Sequence, residues 1–367
     1  MQNTTDKPLL TLMVCAYNQE SFIREAVEAA FAQTYSPLQI ILSDDCSNDR
    51  TFEIMRQLAD AYRGPHQVVL NRNATNLGIA GHFNRMVLLA RGQLLVGAAG
   101  DDISFPERVE TTYQAWEKSG RKSVGIQSSF VTIDGRGLPG NGSVNCVASE
   151  KLHFSEERPG LENYVRTLKP GILGAAFAVS ASVFSTFGPL PENLIHEDSV
   201  IGLRALCLGQ LTFINNPLIK RRIHENNLFS RHRDELASTS EAVVQQETRM
   251  IRDAKNRVTM YDAFLLDLHV AMDKGLISME QWRTLEKDCV WRRRLFSYQA
   301  EYPNATMTRK LRILFAAWRD RAESPIISWM ITRLIPGAGF RSLKVAGNSV
   351  RKAAKTWFRS DSGTAGK

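Results

Sequence analysis

Leu9-Leu-Thr-Leu-Met-Val-Cys15 is a nearly continuous apolar run, closed by Ala16-Tyr17-Asn18. A strand covered on both faces reads this way, because neither face meets water. The same kind of run returns as Leu38-Gln-Ile-Ile-Leu-Ser43, as Gln67-Val-Val-Leu70 and as Gln93-Leu-Leu-Val-Gly-Ala-Ala99. Between the runs, apolar residues recur near helical spacing: Ile23, Val27, Ala30 and Phe31, then Ile54, Leu58 and Ala61, then a stretch from His82 to Ala90. Ser21 is placed to cap the first of these helices. Strands alternating with helices at this interval predict βαβ units and a parallel sheet, so the expected fold class is α/β. In such sheets ligands bind beyond the carboxyl ends of the strands. Three polar clusters fall there: Tyr17-Asn18, Asp44-Asp45 and Asp101-Asp102.

Further along, Ser104-Phe-Pro-Glu107 reads as a capping box that starts a helix. Val124 to Ile133 reads as a strand closed by Asp134-Gly135, and the glycine-rich stretch Gly135 to Ser143 as a surface loop. Short helices and strands follow from Leu161 to Ile223. Beyond Ser238 the pattern is helical and strand-poor to about Arg321, where Pro325 and Pro336-Gly-Ala-Gly339 break it. The expected division is a domain over 1–235, a helical region over 236–324 and a basic amphipathic tail over 325–367.

The 367 residues are 43% apolar and 23% charged, which suits a globular chain with a sizeable core. Five scattered cysteines with no Cys-x-x-Cys pair argue against a disulfide framework and a thiolate metal site, and fit reduced thiols in the cytoplasm. The N-terminal Met1-Gln-Asn-Thr-Thr-Asp-Lys-Pro8 lacks the apolar core of a secretory signal. The uncharged stretch between Lys169 and Glu192 is interrupted by glycine, proline, serine and threonine. It reads as a buried strand and helix and not as a membrane span. The net charge of +8 is uneven: residues 309–359 hold 12 Lys or Arg against 2 acids, so the first 308 residues sum to about −2.

Adjacent acids ending an apolar strand repel each other, and a divalent cation offsets that while bridging to a diphosphate. Asp101-Asp102 has this form, although Gly100-Asp-Asp could equally be a turn with Asp102 as a helix cap. Asp44-Asp45 could be an Asx turn leading into Ser47-Asn48-Asp49. Tyr17 could stack on a nucleobase or serve the core. His196-Glu197-Asp198 opens an apolar helix, as a charge-matched start or as the seat of a general base. His224, in Arg221-Arg-Ile-His-Glu-Asn-Asn227, could be a metal ligand or part of an exposed turn. Neither His-Glu pair is followed by a second histidine at zinc-protease spacing, which excludes that class.

Taken in order, the motifs resemble those of the family-2 glycosyltransferases of GT-A fold, the group that builds bacterial cell-surface polysaccharides. They are Val14-Cys-Ala-Tyr-Asn18, Gln33-Thr-Tyr35, Ile40-Ile-Leu-Ser-Asp-Asp-Cys-Ser-Asn-Asp49 with Thr51, Asn76-Leu-Gly78, Gly100-Asp-Asp102, Glu197-Asp198 and Arg222-Ile-His-Glu-Asn226. The resemblance implies a Rossmann-like, mostly parallel sheet and transfer of a sugar from a nucleotide-sugar donor to a glycan or lipid-linked hydroxyl acceptor, with inversion. It implies that Tyr17 and Asp45 hold the nucleobase, that Asn76 approaches the donor and that Asp101 lies near the donor ribose. It implies that Asp102 holds a divalent cation, Mn²⁺ or Mg²⁺, that His224 completes the metal site in some members, and that Asp198 is the catalytic base. The chain departs from the family's Asp-x-Asp pattern in carrying glycine at position 100.

Two other classes are weighed. A sugar-phosphate nucleotidyltransferase shares the layout, but it would ordinarily carry a glycine-rich loop after the first strand, where Cys15-Ala-Tyr-Asn18 stands. A non-catalytic basic adaptor would use residues 309–359, where Trp and Phe interleave with Lys and Arg. Such a segment suits an anionic membrane better as an appendage of an enzyme, and nucleic acid is not the expected partner. The expected location is the cytoplasm, with peripheral contact at the inner face of the cytoplasmic membrane.

Overall fold

The computed structural model describes residues 7–145, 160–169, 171–225, 227, 240–320, 327, 330 and 331. The first hundred residues alternate as expected: β1 (Leu10–Ala16), α1 (Ile23–Phe31), β2 (Leu38–Asp44), α2 (Thr51–Ala61), β3 (Gln67–Arg72), α3 (Gly78–Leu89) and β4 (Leu94–Ala99). Next come β5 (Ile103–Ser104), α4 (Arg108–Lys118), β6 (Ser123–Asp134), β7 (Pro139–Asn145) and α5 (Leu161–Thr167). A 3₁₀ turn at Gly174–Ala176 leads into β8 (Phe177–Ser180), α6 (Ser182–Phe187), α7 (Glu197–Leu208) and β9 (Gln210–Ile223). Three helices follow, α8 (Ser240–Asp273), α9 (Met279–Glu301) and α10 (Met307–Arg319).

The sheet runs β3-β2-β1-β4-β8-β6-β9-β5, with β7 beside β6. The first four strands are mutually parallel, and β8 then enters antiparallel to β4 and β6. The register sets the functional edge. Cys15 lies opposite Ser43 on one side and Ala99 on the other, so the residues after all three strands emerge together. Leu10, Leu12, Ile40, Leu42, Leu94 and Val96 are fully buried, against the Ile23, Ala26, Val27 and Ala30 face of α1. Each such side chain contributes ~1.5–3 kcal/mol through burial, which makes these strands a rigid base for the loops they carry.

Three local expectations are corrected. Ser21 caps nothing: α1 begins after a turn in which the Phe22 and Ile23 amides donate to the Gln19 carbonyl. Ser104 is a strand residue opposite Ile219, its hydroxyl accepts from Arg108, and the helix starts at Arg108 with Pro106 outside it. The stretch expected to be a loop between Gly135 and Ser143 contains β7, paired antiparallel to β6, because backbone pairing with a long neighbour outweighs a weak local propensity.

The chain forms two compact units, Met1–Asn227 with Asp262–Cys289, and Leu228–Tyr261 with Val290–Lys367. In the first, Arg204 of α7 makes a bidentate pair with Asp267 of α8 at 2.7 and 3.0 Å, both side chains buried. In the second, Tyr302, Ile313, Ala317 and Met330 form a small core. Asp320 there accepts from Tyr298 and Arg294. The expected boundary near 235 and most of the basic tail over 325–367 lie outside the described residues. Among the described residues, no helix is long and apolar enough to cross a membrane.

Candidate functional site

The loop after β1 is held by the loop after β2. The Asn18 amide donates to the Ser47 hydroxyl at 2.8 Å, the Gln19 amide to the Thr51 hydroxyl at 2.7 Å, and the Asn48 amide to the Asn18 side chain at 2.9 Å. Tyr17, 45% exposed, is thereby presented on a fixed backbone. Beneath it, Asp44 accepts from the Ser47 amide and hydroxyl and pairs with Arg72. Asp45 accepts from Asn73 at 2.8 Å and from the Leu77 and Gly78 amides at 2.9 and 3.0 Å, tying β2 to the start of α3. Asn76 is exposed and its side chain accepts from the Gly78 amide, the geometry of an Asx turn.

After β4 the chain turns at Gly100, whose amide donates to the Cys15 carbonyl. A Cβ there would lie 2.4 Å from Gln19 Oε1 and 3.0 Å from Ala16 Cβ and Ile23 Cδ1, so the position has no room for a carboxylate as the loop stands. Asp101 and Asp102 are both buried. Asp101 faces His224 Nε2 at 3.0 Å and accepts from Asn227 at 3.1 Å. Asp102 accepts from the Arg222 amide at 2.8 Å. Burial pushes the Asp102 carboxyl up to about 7, and the neighbouring Asp101 adds to it. Asp102 is therefore no helix cap. Among the described residues, no three His, Cys, Asp or Glu side chains already close around one point as a metal cage.

Two arginines that sequence reasoning passed over hold this turn. Arg222 is fully buried: its Nε donates to the Asp101 carbonyl at 3.0 Å, its guanidinium lies over the Phe22 ring, and Glu25 is 3.1 Å away. Arg108, also buried, donates to Ser104 and to the carbonyls of Gly97 and Ala175. Burial lowers its pKa to about 10. Arg222 opens the last of the family-like motifs, but its burial gave no signal, because a buried charge inside a strand-like run cannot be told locally from an exposed one.

Glu197 and Asp198 open α7 beside Gly174. Asp198 accepts from the Ser199 amide at 2.6 Å, and burial raises its pKa. Glu197 is raised well above the ordinary carboxylate value, by burial and then by Asp198, and its buried Oε2 has no hydrogen-bond partner among the described residues. The two acids are not remote from the strand ends. Burial lifts the Cys15 thiol to about 12, and Glu197, Asp101 and Asp45, in that order, push it the same way. The geometry agrees: at the tip of β1 the Asp45 amide donates to the Ala16 carbonyl and the Gly100 amide to the Cys15 carbonyl, while Glu197 lies against Gly174, whose carbonyl faces Gly97 of β4. Gln33 and Tyr35 serve the scaffold instead, Gln33 bonding Phe105 and Val109 and Tyr35 bonding the Pro8 carbonyl.

Residues 11–170 match the family model described as Glycosyl transferase family 2. The chain carries a family-2 glycosyltransferase domain. The transferase is 23% identical over 283 residues to an uncharacterized glycosyltransferase of Rickettsia prowazekii, covering 75% of this chain and 83% of that protein. A second uncharacterized glycosyltransferase, from Rickettsia typhi, is 24% identical over 226 residues, covering 61% of this chain and 67% of that one. Among solved structures, S. aureus TarS 1-349 in complex with UDP-GlcNAc aligns over 94% of this chain and 92% of that chain, at 16% identity and a TM-score of 0.49. The matched segment contains Tyr17, Asp45, Asn76, Asp101 and Asp102 of the transferase. Asp198 and His224 lie beyond its end, although His224 meets Asp101.

Proposed function

We propose that the enzyme moves a sugar from a nucleoside-diphosphate sugar to an acceptor hydroxyl in the crevice at the carboxyl edge of β1, β2 and β4. One observation carries the reading: the acidic loops after β2 and β4 are both hydrogen-bonded to the end of β1, the Asp45 amide to the Ala16 carbonyl and the Gly100 amide to the Cys15 carbonyl, inside a segment that matches a transferase family. Tyr17 stacks on the nucleobase, Asp45 accepts from its N–H, Asn76 lies along the donor and Asp101 is near the ribose. These roles are supported by the exposed ring of Tyr17 and by the common edge from which the side chains emerge.

A divalent cation, Mn²⁺ or Mg²⁺, fits the donor set. Asp102 is desolvated beside a second carboxylate, so it resists ionisation, and one or two carboxylates completed by phosphate oxygens are ligands such ions use. Asp102 would hold it, with Asp101 beside it, and His224 would join only by giving up Asp101. When bound, the cation neutralises the charge that develops on the departing diphosphate. In the reaction the anomeric carbon–oxygen bond breaks with its electron pair going to the diphosphate. The acceptor oxygen bonds the same carbon from the opposite side, and its proton goes to Asp198. A single displacement of this kind inverts the anomeric centre. Burial raises the pKa of Asp198 above the ordinary carboxylate value, which makes it a stronger base for that proton.

The acceptor is read as a cell-surface glycan precursor, lipid-linked and reached from the cytoplasmic face of the membrane. The net +10 over residues 309–359 supports peripheral contact there. Residues 1–235 are read as the catalytic domain, 236–324 as its helical companion and 325–367 as the basic tail.

A panel of nucleotide-sugars tests the reading, with thermal shift measured in Mn²⁺ and in chelator, and with released nucleoside diphosphate as the product assay. Expected is a shift with one donor class that depends on Mn²⁺. Release of pyrophosphate instead would establish nucleotidyl transfer and end it.

A further inference from the structure

Thirteen residues make up α10, Met307–Arg319, and among the described residues one side of it is packed into a core. Ile313 and Ala317 are buried against Tyr302 and Met330, with Leu314 packed at the margin. Met307, Leu311, Phe315 and Trp318 stand between 51% and 67% exposed. Their spacing of four, four and three residues sets them in one stripe along the helix, displaced from the buried side. Phe315 and Trp318 lie with ring centroids 6.0 Å apart, so the stripe is a continuous apolar surface at its C-terminal half. Exposed Arg312 and Arg319 border it on the side away from the core. Four large apolar side chains aligned on one helix are more than scattered surface hydrophobics.

We infer that this stripe of α10 is a docking face for an anionic lipid surface, with Phe315 and Trp318 entering the headgroup boundary and Arg312 and Arg319 meeting lipid phosphates. Charge complementarity selects this occupant. The stripe is edged by arginine, and the chain from 309 to 359 carries 12 basic residues against 2 acids. A helix with a basic border and Trp, Phe and Leu on its apolar face lies in the plane of the interface, apolar side inward. A helix of this length runs about 20 Å, enough to hold a protein on a surface and too short to span it. The proposal deepens the peripheral-membrane part of the function above and rests on it, while it is independent of the donor and of Asp198.

Flotation of the full-length protein with phosphatidylcholine vesicles, with and without phosphatidylglycerol, tests it. Wild type is expected to float with the anionic vesicles. Leu311→Ser/Phe315→Ser/Trp318→Ser is expected to bind about tenfold more weakly at low and at high salt, because lost apolar insertion is not screened. Arg312→Gln/Arg319→Gln is expected to weaken binding at low salt only. Truncation after Ile331 should leave the part of the binding that depends on the stripe. The donor-induced thermal shift should be the same in every variant, which separates this idea from the catalytic reading. If the triple variant does not melt cooperatively, Phe315→Ser alone takes its place, since that side chain packs at the surface. Vesicle binding unchanged by the triple substitution overturns the inference. So does complete loss of binding on truncation, or a dimer that the triple substitution dissociates without changing flotation.

Discussion

The two acidic loops of the sheet edge look alike in sequence and differ in what surrounds them. Asp44 and Asp45 are well compensated: Ser47, Arg72, Asn73 and the amides of Leu77 and Gly78 serve their oxygens, and Asp45 Oδ2, with one donor, keeps room for a second. Asp102, Glu197 and Asp198 are buried with less compensation, and desolvation raises all three. The first pair spends its charge on organising backbone. The second group keeps an unmet demand for a proton or a cation, which is the condition a reactive site requires.

The largest effect that would break this contrast lies at α7. Asp198→Asn keeps shape and removes basicity, so transfer should fall about 10²- to 10⁴-fold with little change in donor affinity. Single-turnover rates and donor titration read the two separately. Glu197→Gln should cost far less; if the order is reversed, Glu197 is the base.

Next comes stability. Asp45→Ala strands the Leu77 amide and the buried Asn73 side chain, while Gly78 keeps its bond to Asn76, and should cost about 2 kcal/mol in denaturant unfolding. Asp102→Asn should cost nothing at pH 8 or stabilise the fold, while it abolishes the difference between Mn²⁺ and chelator in donor binding. Equal destabilisation by the two substitutions would erase the distinction between organising and reactive acids.

A third test uses pH. Asp102 titrates at about 7 in the fold against an ordinary carboxylate value of 3.8, so the folded state holds its proton more tightly. Its contribution to stability is present at low pH and falls as pH rises from about 4 through about 7. Metal-supported donor binding should run the other way, strengthening up to about pH 7 and levelling above it. Asp102→Asn should flatten both profiles. The smallest effect is expected at the turn itself: Gly100→Ala should cost about 1 kcal/mol, since its methyl meets Ala16 and Ile23 at 3.0 Å and a movable Gln19.

What sequence made legible follows from range. β1, β2 and β4 declare themselves because a buried strand leaves an apolar run, β3 shows a shorter run although it is a half-buried edge strand, and the three polar clusters were located by where the runs of β1, β2 and β4 stop. β7 did not, since Pro139-Gly-Asn-Gly142 is a poor strand on its own and becomes one only beside β6. Ser104 and Ser21 carry good capping chemistry that the fold leaves unused. Arg222 and the Arg204–Asp267 pair were invisible for a different reason. Their partners are 63 to 197 residues away, and a buried charge is indistinguishable in sequence from a solvated one until its partner is found.

The contact between Gly100 and Gln19 bears on how such a site can evolve. One substitution, glycine to aspartate, would restore the spaced pair of acids, yet the newcomer's first carbon collides with the amide of Gln19 at 2.4 Å. That route needs the Gln19 side chain to swing aside, and a shorter residue at position 19 removes the need, so a change there eases the arrival of the third acid.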